Sequence, residues 1–222
     1  MAIINVNYNK DTIRQEALAH FLRLCHIKTY PAKAVLIHAG QINETLFYIV
    51  EGSVVVDAED EIDGKELILA YLNKGDFIGE LGVFNGKDPR QVNVRTRCDC
   101  KIAEITHERI RTALKRELPD YATDILFMIG EQMAKRLLMT SRNFRDLAFM
   151  DTKGRIARTL LDLCKEPDAI THPDGMQLYI SRQEIARIVG CSREVVGRVL
   201  KELEEKSLIT AHGKTIVVFG TR

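Results

Sequence analysis

The sequence predicts an α+β fold in three consecutive pieces: a β-rich N-terminal part, one long helix, and a C-terminal winged helix-turn-helix. Three observations predict it. Between Ile27 and about Thr106, short apolar runs alternate with glycines. From Leu126, apolar residues recur in steps of four and three. Residues 181–200 hold two capped amphipathic segments on either side of Gly190. The expected domains are residues 1–118, 119–150 and 151–222.

A short amphipathic helix is expected over Asp11 to Cys25. The β part follows, with apolar pieces Val35–Ile37, Leu46–Val50, Val54–Val56 and Leu67–Leu69. Gly40, Gly52, Gly64, Gly75, Gly79, Gly82 and Gly86 punctuate them. That texture fits a sandwich, a jelly roll or a barrel. Val92, Val94, Thr96 and Cys98 alternate with polar partners, as on a half-buried strand.

A long helix is expected after Pro119. Leu126, Gly130, Met133, Leu137, Thr140, Phe144 and Leu147 trace a heptad seam, flanked by Glu131, Lys135, Arg136, Arg142, Arg145 and Asp146. A stripe this narrow fits a contact with a second helix better than packing on the chain's own sheet, so a homodimer is expected. Gly130 would let two backbones approach. Thr140 is a polar residue inside the seam, which calls for a register role or a polar group held at the interface.

Asp151 is a plausible cap for a helix from Arg155 to Lys165, and Pro167–Gly175 reads as an exposed, turn-rich loop. Ser181 and Glu184 have capping-box spacing, with Ile185, Ile188 and Val189 on one face. Ser192 caps the next helix, whose buried side is Val195, Val196, Val199, Leu200 and Leu203. Arg193, Glu194 and Arg198 remain on its outer face, near the N-terminus. That is how a helix-turn-helix offers side chains to a major groove: arginine forks to guanine, and glutamate accepts from cytosine. Arg182 and Gln183 open the preceding helix, where phosphate contacts form. Ile209–Phe219 reads as a hairpin around Gly213, the wing, with Lys214 placed for another phosphate.

Composition narrows the rest. The chain has 222 residues, 45% of them apolar, and a formal net charge of +1. It is not a polycation, so nucleic-acid affinity must come from local basic patches. No apolar run approaches a membrane span and no signal-peptide pattern opens the chain, so a cytoplasmic protein without membrane attachment is expected. The five cysteines (Cys25, Cys98, Cys100, Cys164, Cys191) form no C-x-x-C, and the six histidines show no ligand spacing. Buried free thiols and no metal are expected. Cys98 and Cys100, on one strand, would share a face. No catalytic constellation is present, so no enzyme is expected.

The remaining dense motif is Gly75-Asp-Phe-Ile-Gly-Glu-Leu-Gly-Val-Phe84, followed by Pro89, Arg90 and Gln91. A glycine-bounded turn with a nearby arginine makes an anion nest suited to phosphate. Glu80 would repel that phosphate unless it has another task, such as accepting a sugar hydroxyl.

Taken together, these motifs resemble the cAMP receptor protein (catabolite activator) family of transcription regulators, from about His20 to Arg222. The likeness is densest in Tyr71–Gly82, Leu147–Phe149, Pro167–Gln177 and Val189–Glu194, and points to its enterobacterial branch. The resemblance implies a β-roll (jelly-roll) domain binding a cyclic nucleotide, cAMP first. Gly79 and neighbouring amides, Leu81 among them, would hold the cyclic phosphate with Arg90, and Glu80 the ribose 2′-hydroxyl. Thr140 and Ser141 would meet adenine across the dimer seam. It also implies palindromic TGTGA-like DNA sites, read by Arg193, Glu194 and Arg198 beside Ser181, Arg182, Gln183, Ser192 and Lys214. Thr171 and His172, with a second basic surface of His26, Lys28 and Arg109, would contact RNA polymerase.

One position departs from the family pattern: Gln91 stands where a serine usually donates to the phosphate. A regulator of the same fold that responds to cyclic di-GMP, or that binds DNA without ligand, is therefore the alternative. An iron–sulfur or haem sensor lacks its N-terminal cysteine cluster here. A nucleotide-binding module of an enzyme or channel would lack the winged helix.

Overall fold

A computed structural model describes residues 6–42, 44–60, 62–86 and 88–221; the outermost parts of the expected first and last domains (residues 1–5 and 222) lie outside the described residues. The chain forms two compact units. One takes residues up to Ala58 together with Ala70–Met139; the other takes Glu59–Leu69 together with Thr140 onward.

In the first unit, helix α1 (Val6–Arg23) precedes strands β1 (His26–Tyr30), β2 (Val35–Ile37), β3 (Thr45–Glu51) and β4 (Ser53–Glu59). Then come β5 (Glu66–Asn73), of which only Ala70–Asn73 belong to this unit, β6 (Phe77–Ile78), helix α2 (Leu81–Asn85), β7 (Asn93–Thr96), β8 (Cys100–Thr106) and helix α3 (His107–Arg116). The strands form two four-stranded sheets, ordered β1-β8-β3-β6 and β2-β7-β4-β5. β3 explains the unbroken apolar run Leu46–Val50. Its Phe47 and Ile49 pack between the sheets with Ile37, Val54, Val94 and Ile102. Its Leu46 and Tyr48 face outward onto Phe21 of α1, Ile110 of α3, and Ile125 and Ile129. A strand covered on both faces has no polar side to alternate with.

α1 begins at Val6, five residues before the expected Asp11; the polar run Asn7–Asp11 carries no apolar stripe for periodicity to detect. The glycine-rich turn at residues 79–86 includes α2, with Glu80 at its N-cap position. Cys98 also departs from expectation. It lies in a bend after β7, exposed, while Cys100 opens β8 and is buried. The two thiols therefore do not share a strand face, because the chain leaves the ladder at Arg97.

Helix α4 (Ala122–Phe149) follows a 3-10 turn at Pro119–Tyr121. It carries two apolar stripes. Ile125 and Ile129 are buried in the first unit's core, whereas Leu126, Leu137, Phe144 and Leu147 of the expected seam are exposed, Leu137 by 68% and Phe144 by 72%. Gly130 has open space around it. Met133, also expected on the seam, is half-buried against the first unit's own core.

In the second unit, α5 (Thr152–Leu163) is capped by Asp151, whose side chain accepts from Gly154 N at 2.7 Å. β9 (Ile170–His172), β10 (Gly175–Tyr179), α6 (Arg182–Val189), α7 (Arg193–Glu205), β11 (Ile209–His212) and β12 (Thr215–Phe219) complete it. The sheet order is β11-β12-β10-β9, so the wing hairpin continues into a wider sheet. The expected loop 167–175 is in part a strand: Thr171 pairs with Met176, and His172 with Gly175. Three residues are too few to show a period, and only the partner strand defines them. The core joins Ile156, Leu160, Ile185, Val196, Leu200, Leu203 and Ile216.

Candidate functional site

In the first unit, β6, α2, β7 and α4 enclose a cavity of about 350 Å³, lined among others by Ile78, Gly79, Glu80, Leu81, Arg90, Gln91, Val94 and Arg136. All five ligand residues expected from the glycine-rich motif and its arginine thus meet in one place. Its volume is in the range of small-ligand pockets.

The geometry follows from the turn. Gly79 has φ +82°, and a Cβ there would lie 2.6 Å from the Thr45 carbonyl and 3.0 Å from Arg90 Nη2. Only glycine permits that approach. Arg90 is set by its own backbone: its N–H donates to Gln41 O at 3.0 Å, and its carbonyl accepts from Gly40 N at 2.7 Å. Its Nη1 and Nη2 each donate to Gly79 O at 3.4 Å. Burial pulls the Arg90 pKa down, with Glu80 opposing. A half-buried guanidinium on a cavity wall offers that cavity a forked cation. Gln91 is exposed at the same rim.

Glu80 is 6% exposed, and its task is now visible. Arg136 Nη1, on α4, donates to Glu80 Oε1 at 2.7 Å, and Nη2 donates to Phe77 O at 2.6 Å. One turn earlier, Gln132 accepts from Phe77 N at 2.7 Å and donates to Phe77 O at 2.8 Å. These side chains pin the middle of α4 to β6. Sequence reasoning counted Arg136 only as a flanking charge; the available signal was its i, i+4 spacing from Gln132 on one helix face.

His107 was also missed. Its Nε2 lies 3.1 Å from Gly79 O, so the neutral ring donates there. Burial, then Arg90, lowers its pKa. Arg111 donates to the carbonyls of Gly82 and Val83 at 3.1 and 2.8 Å. The turn is thus held from behind by α3.

Thr140 and Ser141 are exposed on α4, within the second unit. There Thr140 lines a separate cavity of about 500 Å³ with Leu67, Leu69, Phe144, Arg158 and Gly190, among others.

The helix pair is built as its caps dictate. Ser181 Oγ accepts from Glu184 N at 3.1 Å and Ser192 Oγ from Val195 N at 3.3 Å. Gly190, at φ 71° and ψ 49°, ends α6 in the left-handed region, its N–H bonded to Ala186 O. Gln183, Ser192, Arg193, Glu194, Arg198 and Lys214 are exposed. Glu194 is held below the usual carboxylate range by its own backbone N–H, then by Ser192. Arg182 Nη1 donates to Gly213 O at 2.9 Å, tying α6 to the wing turn. Lys214 Nζ lies 5.8 Å from the Tyr179 ring.

Of the remaining candidates, Thr171 is exposed and His172 half-buried on the edge strand β9. His26 and Lys28 are exposed on β1. Lys28 pairs with Glu104 at 2.6 Å, and Arg109 with Glu117, the second fork at 2.8 Å. Two of the three charges of that second basic surface are therefore already compensated. Among the described residues, no group of three or more His, Cys, Asp or Glu could hold a metal ion, and no helix is long and apolar enough to cross a membrane.

A β-roll with a glycine-bounded anion pocket, followed by a winged helix-turn-helix, defines a ligand-responsive DNA-binding regulator. Family models agree: "Cyclic nucleotide-binding domain" matches residues 27–117 and "Crp-like helix-turn-helix domain" matches residues 154–219. The cAMP-activated global transcriptional regulator CRP of Salmonella typhimurium is 57% identical over 205 residues, covering 92% of this chain and 95% of that protein. The cAMP-activated global transcriptional regulator Vfr of Pseudomonas aeruginosa is 53% identical, covering 95% and 97%. A solved structure of CLP from Xanthomonas campestris, described as a c-di-GMP responsive global regulator, is 46% identical. It aligns with a TM-score of 0.87 over 93% of this chain and 100% of that one. The chain belongs to the CRP family of transcriptional regulators.

Proposed function

We propose that this chain is a cytoplasmic, homodimeric transcription regulator without enzymatic activity, whose affinity for palindromic TGTGA-like DNA is set by cAMP. The observation that carries the reading is the convergence of Gly79, Glu80 and Arg90 on one cavity, with Arg136 of α4 closing on Glu80. Arg90 and the amides of residues 79–81 hold the cyclic phosphate; Glu80 accepts the ribose 2′-hydroxyl. Because Glu80 is also the partner of Arg136, a ligand there acts directly on the helix that carries the exposed seam. It favours one packing of Leu126, Gly130, Leu137, Phe144 and Leu147 against a second copy over another. Thr140 and Ser141 meet adenine at that seam. The working division is residues 1–118 for nucleotide, 119–150 for the dimer helix and hinge, and 151–222 for DNA. Arg193, Glu194 and Arg198 read bases; Arg182, Gln183 and Lys214 hold phosphates, with Ser181 and Ser192 at the helix starts. Thr171 and His172 contact RNA polymerase, with His26, Lys28 and Arg109 as a second surface.

Calorimetric titration with cAMP, cGMP and cyclic di-GMP tests this. Heat with cAMP and a ligand-dependent DNA affinity are expected, and Gln91→Ser tightens cAMP by restoring a short hydroxyl donor. No heat at millimolar cAMP, together with equal DNA affinity in its presence and absence, overturns it. Gln91 and the likeness to CLP favour cyclic di-GMP, or ligand-free binding, as the reading that would then replace it.

A further inference from the structure

Cys98-Asp-Cys100 is the one motif that neither the nucleotide cavity nor the DNA face absorbs. Its two sulfurs converge on Ser53. Cys98 Sγ lies 3.9 Å from Ser53 Oγ, and the Cys100 thiol donates to Ser53 O at 3.3 Å and to Cys98 O at 3.2 Å. The Cys98 side chain is itself among the groups acting on the Cys100 thiol. Residues i and i+2 on an extended strand stand about 6.6–6.8 Å apart, at the upper end of disulfide Cα separations. Here the chain bends at Arg97 and Cys98, just ahead of Asp99 and Cys100. The turn is held on both sides: Arg97 N donates to Ser53 O at 2.9 Å, and Asp99 Oδ1 accepts from Ala32 N at 3.0 Å.

The two thiols are unequal. Cys98 is exposed and Cys100 is 1% exposed. A soluble oxidant therefore reaches Cys98 first, with the second sulfur waiting beside it. The other three cysteines offer weaker competition. Burial raises the pKa of Cys25 to about 12 and also raises those of Cys100, Cys164 and Cys191, so none of these four is favoured over the exposed Cys98 as the first site of attack.

We infer that Cys98 and Cys100 are a hydroperoxide-reactive pair that closes to a reversible intramolecular disulfide. The Cys98 thiolate attacks the peroxide, breaking the O–O bond; sulfur loses two electrons, Cys98 becomes a sulfenic acid and hydroxide leaves. Cys100 Sγ then attacks the sulfenic sulfur, the S–S bond forms, and the displaced oxygen departs as water with the thiol's proton. A dithiol reductant reverses the step. None of this depends on the identity of the nucleotide.

The test is thiol counting and peptide mass on the purified full chain, before and after hydrogen peroxide. Five alkylatable thiols are expected in the reduced protein, from five cysteines, and two of them are lost on oxidation. The peptide carrying both residues becomes lighter by two hydrogens, and dithiothreitol restores it. Cys100→Ser should leave Cys98 as a sulfenic acid trapped by dimedone. Cys98→Ser changes an exposed side chain, so its fold is retained, and it should lose no thiol at the same dose. An unchanged count in the parent protein, oxygen adducts that dithiothreitol does not reverse, a disulfide between chains, or oxidation of Cys100 in Cys98→Ser would each overturn the assignment.

Discussion

Arg136 closes on Glu80 at 2.7 Å while its second nitrogen holds the Phe77 carbonyl at 2.6 Å. The Glu80 side chain is 7% exposed and the Arg136 side chain 27%. This pair joins the glycine-rich turn to the long helix within one compact unit. It also neutralises the carboxylate that would otherwise oppose an anion beside Arg90.

Removing Arg136 leaves Glu80 buried without its counter-charge. Arg136→Ala should cost about 2–3 kcal/mol of stability, read as a lower urea midpoint. Glu80→Gln should cost less, because the Arg136 left behind is 27% exposed, keeps the Phe77 carbonyl as an acceptor and can still donate to the Gln amide oxygen. The double change Arg136→Met with Glu80→Gln should recover part of the loss, since each residue's penalty is mostly the other's isolation.

His107 predicts a pH dependence. Burial, then the neighbouring Arg90, depresses its folded pKa below the ordinary 6.5. The unfolded chain therefore binds the proton first, so stability falls as pH drops from neutral through that ordinary value. Below the folded pKa the ring is charged, and its loss is complete. His107→Gln keeps a donor for Gly79 O without titrating, so its denaturation midpoint should vary less between pH 7 and pH 5 than the parent's.

The DNA face should separate base contacts from phosphate contacts. Arg193→Ala or Arg198→Ala should each weaken a specific site by roughly 1–3 kcal/mol and relax preference at one base pair. Lys214→Ala should weaken all sequences alike and flatten the salt dependence by about one unit. Fluorescence anisotropy on matched and scrambled duplexes at several salt concentrations distinguishes them. Full specificity in Arg193→Ala would exclude α7 as the reader.

Leu137 is 68% exposed on a single chain. Leu137→Glu should therefore leave the fold intact while placing an unpaired charge at the centre of an apolar contact. Sedimentation should then give monomers that no longer bind a palindrome. A dimer that persists would move the interface elsewhere.

The parts of this protein that sequence alone determined are those whose cause is local. Ser181, Ser192 and Asp151 cap because a side-chain oxygen meets an N–H three residues on. Gly190 ends α6 because φ there must be positive. The heptad stripe of α4 is a property of one helix, readable without its neighbours. The glycine turn and Arg90 were legible as an anion nest for the same reason. Tertiary structure decided what depends on contacts between distant residues. Arg136 lies 56 residues from Glu80, and His107 lies 28 from Gly79; no period or spacing connects either pair. β9 is a strand only because β10 pairs with it, and Met133 is half-buried because the first unit's core lies against it. Cys98 faces solvent because the chain bends out of the β7 ladder at Arg97, where Ser53 captures its N–H. In each case two conformations were open to the local sequence, and burial or a hydrogen bond from a distant segment chose between them.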